Sequence, residues 1–167
     1  ITSNAPAVKG KVCAFHRDSD QSSLRTGWTN SKDERFAYTY IRQEMALINS
    51  IGCEPTVMNS LDMSTHMSGL SSAFYAMLDS KYFTAEVCAA WLKFMWQLCD
   101  WQVECYFGTS DNNWGTFASA AVYDGVAKFP EFFTHDYWYE KTLADNTRML
   151  GVFTLEDGLC VEQSMNY

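Results

Sequence analysis

Residues 84–99 read TAEVCAAWLKFMWQLC, a stretch with few polar positions. Thr84 is a good N-cap residue, and Glu86 would lie in the first turn, near the positive end of the helix dipole. These features predict a helix from Thr84 to about Phe107, ended by Gly108. Because apolar residues lie on nearly every side of this helix, it must be buried on most sides, and we expect it at the centre of the domain.

Four further helices are predicted on either side of the central one. Ser31 and Glu34 form the pattern of a capping box, with the serine as N-cap and the glutamate three residues later. Apolar residues then recur at helical spacing, and glycine or proline follows three of the four periodic segments. The predicted helices span about Lys32–Ile51, Leu61–Asp79, Trp114–Ala127 and Asp136–Leu150.

This succession of helices defines the expected fold class. The connections between the helices are short and no βαβ pattern is present, which predicts an all-α domain of stacked antiparallel helical hairpins over residues 31–167. Residues 1–30 lack a clean period and are predicted to be irregular, with a short strand near residues 12–15. A bundle, an open solenoid and a closed toroid all fit this pattern.

Composition narrows the range of partners. The chain has 167 residues, 47% of them hydrophobic and 16% aromatic, and a formal net charge of -8. Such a charge argues against binding to nucleic acid or to an anionic membrane surface. No stretch of the sequence is long and apolar enough to span a membrane. We therefore expect one globular domain whose partner is neither nucleic acid nor lipid.

The cysteines and histidines argue against a metal site. The six cysteines form no Cys-x-x-Cys pair and the three histidines are scattered, so no metal and no cofactor are predicted. The cysteines can form disulfides or remain as buried free thiols, and the sequence is consistent with both. Since Ile1 is not a start methionine and no signal peptide is present, we expect a chain that was processed or cut from a longer protein.

A polar stretch at residues 110–115 stands between two apolar segments. Asn112 and Asn113 carry amides that donate and accept hydrogen bonds without charge, and Trp114 offers a flat apolar face with one N–H donor. Together they suit a hydroxylated ligand that carries a carboxylate, such as a sugar acid. The alternative is that the stretch is only a turn followed by a helix N-cap.

Four segments of this sequence occur in an order that resembles a known family. They are Leu61-Asp62-Met63 with Leu78-Asp79-Ser80 before Phe83–Glu86, then Asn112-Asn113-Trp114, then Phe129-Pro130-Glu131, and finally Leu155–Gly158 with Glu162–Tyr167. This set, over residues 35–167, resembles the helical toroid domain of the heparinase II/III-type polysaccharide lyases, a clan that also includes alginate lyases. The resemblance implies an incomplete (α/α) toroid and a chain truncated before the C-terminal β region of the family.

The same resemblance assigns candidate site residues. It implies that Asn113 is the amide that neutralises the substrate carboxylate and that Tyr167 is the catalytic tyrosine. His66 stands where the family helix commonly carries arginine, and Trp114 stands where some relatives have histidine. Four residues are expected to bind the glycan together with His66, namely Asn112, Trp114, Glu162 and Gln163.

The implied partners and location follow from the family. They are an acidic polysaccharide as substrate, and a C-terminal β domain or another subunit to complete the groove. The implied location is secreted or periplasmic.

The predicted chemistry is β-elimination on a uronate-containing glycan. Removing the C5 proton builds negative charge on the adjacent carboxylate, and a donor such as Asn113 can stabilise that charge by about 3 kcal/mol. Tyr167 would take the proton and later return it to the leaving oxygen. Since the reference pKa of tyrosine is about 10, this requires a nearby cation. His135 is the substitute available within the sequence.

Two other interpretations remain at this stage. Tyr167 can be a chain-terminal aromatic residue without a catalytic role. The whole chain can also be a non-catalytic helical module that binds a glycan or forms part of an extracellular assembly. A glycoside hydrolase with paired carboxylates is less well supported, because no pair of acidic residues stands out.

Overall fold

The computed structural model describes residues 19–51, 60–105, 113–130 and 135–153. These ranges contain six helices and no strand, so the predicted all-α class is confirmed. The five predicted helices are present to within three residues at each end. In chain order the helices are α1 (Ser19–Ser31), α2 (Glu34–Ile51), α3 (Ser60–Met77), α4 (Ala85–Cys105), α5 (Asn113–Lys128) and α6 (His135–Phe153).

The first helix, α1, corrects one prediction. Residues 19–30 were expected to be irregular, yet they form most of α1. This helix is mostly polar, and tertiary packing rather than local periodicity stabilises it. Trp28 is only 2% exposed, and its indole N–H donates a hydrogen bond to the Ala76 carbonyl at 2.6 Å. The strand expected near residues 12–15 lies outside the described residues.

The junction between α1 and α2 also differs from the predicted capping box. Ser31 ends α1, and Lys32 follows with a φ of 54°, a left-handed conformation that reverses the chain. The N-cap of α2 is Asp33, whose Oδ1 accepts a hydrogen bond from the Arg35 backbone N–H at 3.0 Å. The Glu34 carboxylate does not return to Ser31; it accepts a hydrogen bond from the Ser80 hydroxyl at 2.7 Å.

Hydrogen bonds between helices determine their relative directions. Ser71 of α3 donates to Asp124 of α5 at 2.6 Å. Four residues further along both helices, the Tyr75 hydroxyl donates to the Lys128 carbonyl at 2.7 Å. The two helices are therefore parallel, with a constant offset of 53 residues between partners.

The same reasoning shows that α3 and α4 are antiparallel, as are α5 and α6. In each pair, contacts that advance along one helix move backward along the other. These contacts are Ser64–Gln102 and Leu70–Trp91 between α3 and α4, and Ser119–Asn146 and Tyr123–Tyr139 between α5 and α6.

Contacts between whole helices repeat along the chain. Consecutive helices pack together as three hairpins, namely α1 with α2, α3 with α4, and α5 with α6. In addition, each helix from α1 to α4 contacts the helix two positions later in the chain. This is the pattern of stacked antiparallel hairpins, which confirms that prediction. That the stack curves into an incomplete toroid stays a prediction.

Helix α4 lies at the centre of the stack, as predicted. It contacts α2, α3, α5 and α6, and four of its large apolar side chains, Trp91, Phe94, Met95 and Leu98, are fully buried, whereas Trp96 is 38% exposed. Gly125 allows α5 to approach closely, because a Cβ atom at this position would overlap the Met67 methyl group and lie 3.3 Å from the Cys99 sulfur. Cys88 and Cys99 are free thiols.

Candidate functional site

The helix directions bring four helix ends to one edge of the domain. Since α3 and α5 are parallel and their hairpin partners run the other way, Ser60 and Asn113 begin their helices where Cys105 and Phe153 end theirs. With the offset of 53 residues, Asn113 lies opposite Ser60. We call this part of the surface the Asn113 edge.

Only two of the predicted site residues, Asn113 and Trp114, lie at this edge within the described residues. Asn113 and Trp114 are the first two residues of α5, and the structure describes their backbone but not their side chains. Asn112 precedes α5 and lies outside the described residues. So do three residues of the chain end that follows α6, namely Glu162, Gln163 and Tyr167.

Two helix N-termini, those of α3 and α5, lie at the Asn113 edge beside the C-termini of α4 and α6. Helices α3 and α5 have 18 and 16 residues, long enough for a substantial dipole, and both begin here. The first-turn N–H groups of a helix lack partners within the helix and readily donate hydrogen bonds to an anion. The backbone at this edge is therefore suited to a carboxylate close to Asn113.

The interior beneath the Asn113 edge is unusually polar. The Ser64 hydroxyl donates to Oε1 of Gln102 at 2.9 Å, and Nε2 of Gln102 donates to the Leu98 carbonyl at 3.1 Å. Ser119 donates to Oδ1 of Asn146 at 2.9 Å. Sequence reasoning missed these residues, although an amide at position 102, within a mostly apolar helix, was an available signal. The hydrogen bonds tie α3 to α4 and α5 to α6 directly below the edge.

His66 belongs to this interior rather than to the surface. It lies six residues after Ser60, about 9 Å along the helix axis, and is 5% exposed. In this conformation its side chain does not face solvent, so the burial argues against the predicted direct contact with sugar. A role of His66 in glycan binding stays a prediction.

His135 is remote from the Asn113 edge. It begins α6, whose 19 residues extend about 28 Å to Phe153. Since α5 and α6 are antiparallel, His135 begins α6 at the end of that helix far from Phe153, and Phe153 lies at the Asn113 edge. This separation argues against His135 as the cation that would activate Tyr167.

Acidic groups gather near the end of α4. Burial raises the pKa of Asp100, and the negative charge of Glu104 raises it further. The pKa of Tyr137 is also raised, by burial and by the hydrogen bond from its hydroxyl to Glu104 at 3.2 Å. Because a raised pKa keeps a phenol protonated, Tyr137 is a poor candidate for the base that β-elimination requires.

The described residues contain neither a metal-binding cluster nor a membrane-spanning helix. Within residues 19–51, 60–105, 113–130 and 135–153, no group of three or more His, Cys, Asp or Glu side chains is arranged to hold a metal ion. None of the six described helices has the length and apolar character needed to cross a membrane.

Comparison with known proteins identifies the family. Residues 13–167 match the family described as Heparinase II/III N-terminus, and this region includes α1 as well as the segments that carry the resemblance noted above. No curated protein matches the chain, and no solved structure does. Because the match covers all but the first 12 residues, the chain belongs to the heparinase II/III N-terminal family.

Proposed function

We propose that this chain is the helical domain of a polysaccharide lyase that cleaves a uronate-containing glycan by β-elimination. Membership in the heparinase II/III N-terminal family supports the reaction class. The observation that carries the proposal is that Asn113 begins α5 at the same edge where α3 begins and where α6 ends. The backbone of Asn113 thus lies at the edge where α6 ends, which supports a site that Asn113 shares with the segment after α6.

Asn113 is proposed to neutralise the substrate carboxylate. Loss of the C5 proton places a second negative charge on that group, and an amide N–H aimed at it acts in the same way as an oxyanion-hole donor. The N-termini of α3 and α5 reinforce this effect, because their positive ends favour an anion at the edge. An amide can supply this stabilisation without a metal.

Tyr167 is proposed as the base that removes the proton and as the acid that then protonates the leaving oxygen. It follows Phe153 by 14 residues, and an extended chain of that length reaches at most about 46–50 Å. This tether allows Tyr167 to reach Asn113. The cation needed to lower its pKa is proposed to come from a C-terminal β region or from another subunit.

Four residues are proposed to bind the sugars next to the reacting residue. Trp114 would stack its indole on a sugar face, and Asn112, Glu162 and Gln163 would hydrogen-bond to hydroxyl groups. The substrate would be an acidic polysaccharide, and the protein would act outside the cell or in the periplasm, where such polymers occur.

Two substitutions test the proposal in the full-length protein. Tyr167→Phe is expected to abolish the ultraviolet absorbance of the unsaturated product while leaving glycan affinity nearly unchanged. Asn113→Ala is expected to lower kcat more than it raises KM, because its hydrogen bond matters most as charge develops. Tyr38→Phe is the matched control, since Tyr38 is an exposed tyrosine near the start of α2, at the opposite edge.

These variants can also refute the proposal. Full activity in Tyr167→Phe would remove that residue from the mechanism. A rise in KM with unchanged kcat in Asn113→Ala would make Asn113 a binding residue only.

The second candidate function is a non-catalytic module that binds a glycan or packs into an extracellular assembly. The net charge of -8 favours it, because the chain repels a polyanion at long range. Glycan binding without any unsaturated product would support this candidate over the lyase.

A further inference from the structure

A polar stripe on α6 faces the neighbouring helix α4. Its residues recur at the spacing of one helical face, and they line a cleft of about 300 Å³ between the two helices. Tyr137, Lys141 and Ala144 are exposed and Asp145 is buried, so the cleft is open to solvent and has a buried carboxylate in its wall. The stripe comprises Tyr137, Lys141, Ala144, Asp145 and Arg148, with Glu104 opposite on α4.

Most of the charges in this cleft are engaged with each other. Asp145 is 5% exposed, and its Oδ1 accepts hydrogen bonds from Nη2 and Nε of Arg148 at 2.9 and 3.1 Å. The Tyr137 hydroxyl donates to Oε1 of Glu104 at 3.2 Å. These bonds give the cleft walls a defined arrangement of donors and acceptors.

Lys141 is the one cationic residue of the cleft, among those described, that has no ion-pair partner. Its ammonium lies 5.6 Å from the ring centroid of Tyr137, and no carboxylate in the described ranges pairs with it. The cleft therefore offers one cation for an incoming anion, beside a carboxylate and a phenol that can bond to hydroxyl groups. One carboxylate together with several hydroxyls is the chemistry of a uronic acid.

We propose that the cleft between α4 and α6 is an accessory subsite that binds one uronate residue of the glycan. Lys141 binds its carboxylate, while Glu104 and Tyr137 bond to its hydroxyls. The cleft volume lies at the lower end of the range of about 300–1,000 Å³ for small-molecule pockets, which suits a single sugar residue. The choice of uronate as ligand rests on the proposed function.

The subsite adjoins the Asn113 edge without coinciding with it. Glu104 is the residue before Cys105, which ends α4 at that edge, and its carboxylate accepts a hydrogen bond from the hydroxyl of Tyr137 near the start of α6. The cleft thus extends from the edge along the side of the domain. A branch or chain end of the polymer can occupy it while another residue lies at Asn113.

The test measures binding of defined oligosaccharides to the full-length protein and to two lysine variants. The probes are oligogalacturonate, oligomannuronate and a neutral cello-oligosaccharide of equal length. Lys141→Gln is expected to weaken binding of at least one oligouronate tenfold or more. Lys93→Gln is the matched control, because Lys93 is exposed on α4 and does not line the cleft.

A second measurement locates the ligand independently of the variants. Reductive methylation followed by mass spectrometry reports how accessible each lysine is. The oligouronate that binds is expected to protect Lys141 and not Lys93, and the neutral oligosaccharide is expected to protect neither.

The outcomes separate this inference from the lyase proposal. Equal affinity of the two lysine variants, or unprotected Lys141 at saturating oligouronate, overturns the subsite even if elimination that depends on Asn113 is observed. Protection of Lys141 together with a tenfold loss in Lys141→Gln supports the subsite, even if no unsaturated product forms and the lyase proposal fails.

Discussion

The hydrogen bond between Ser71 and Asp124 sets the register of α3 and α5, and its contribution to stability can be predicted. Ser71 is fully buried, and its hydroxyl donates to Oδ2 of Asp124 at 2.6 Å. The same oxygen accepts a hydrogen bond from the Lys128 ammonium at 2.8 Å. The register matters for the proposed site, because it brings Asn113 opposite Ser60.

The two hydrogen bonds to Asp124 differ in solvent exposure, because Ser71 is buried and Lys128 is partly exposed. A hydrogen bond to a charged group contributes about 1.5–3 kcal/mol, so Asp124→Ala is expected to lower the free energy of unfolding by that amount. At about 2–4 °C per kcal/mol for a chain of this size, a loss of 2 kcal/mol lowers Tm by about 4–8 °C. Lys128→Gln removes only a partly exposed ion pair at i,i+4 spacing, which contributes about 0.3–0.5 kcal/mol.

The assay is a double-mutant cycle with Ser71→Ala, Asp124→Ala and the double variant, each followed by urea unfolding. Because the two residues share one hydrogen bond, the double variant is expected to lose about 0.5–3 kcal/mol less than the sum of the single variants. Lys128→Gln serves as the control for loss of charge. Additive losses, or an equal loss in Lys128→Gln, would show that the buried bond does not set the stability of this interface.

Two further predictions concern the helix junction and the core. Hydrogen bonds from Arg35 lower the pKa of Asp33 from 3.8 to about 2, so ionised Asp33 stabilises the fold above pH 3.8, and this stabilisation is lost as the pH falls through about 2. Asp33→Asn is thus expected to flatten the stability profile between those pH values in urea unfolding; an unchanged profile would contradict this role. Gly125→Ala is expected to lower the free energy of unfolding by about 1–3 kcal/mol, since its Cβ would overlap the Met67 methyl group. The loss should shrink in a Met67→Ala background, and an equal loss there would assign the effect to the backbone.

Local signals in the sequence were sufficient to predict most helices. Thr84 caps α4 as expected, since its Oγ1 accepts a hydrogen bond from the Val87 N–H at 3.4 Å, and a hydrogen bond with Thr84 lowers the pKa of Glu86. The polar helix α1 was missed because a single tryptophan, Trp28, anchors it to α3, and such an anchor has no periodicity that a sequence window can detect.

The candidate site was predictable only in part. Asn113 and Trp114 stood out by residue type, but the convergence of four helix ends depends on interhelical hydrogen bonds that local sequence does not reveal. The buried pair Ser64 and Gln102 shows the same limit. Each residue is unremarkable in its own helix, and their importance arises because antiparallel packing brings them to 2.9 Å.

The two halves of the interior differ in the interactions that hold them together. Toward the edge opposite Asn113, Phe74 makes edge-to-face contacts with Phe83 and Phe129, with ring centroids 5.4 and 5.0 Å apart. Such aromatic pairs contribute about 0.5–1.5 kcal/mol beyond the area that they bury. Toward the Asn113 edge, Gln102 and Ser119 replace apolar packing with hydrogen bonds. Since functional sites commonly sacrifice stability for polar chemistry, the aromatic half can stabilise the hairpins while the polar half supports the site.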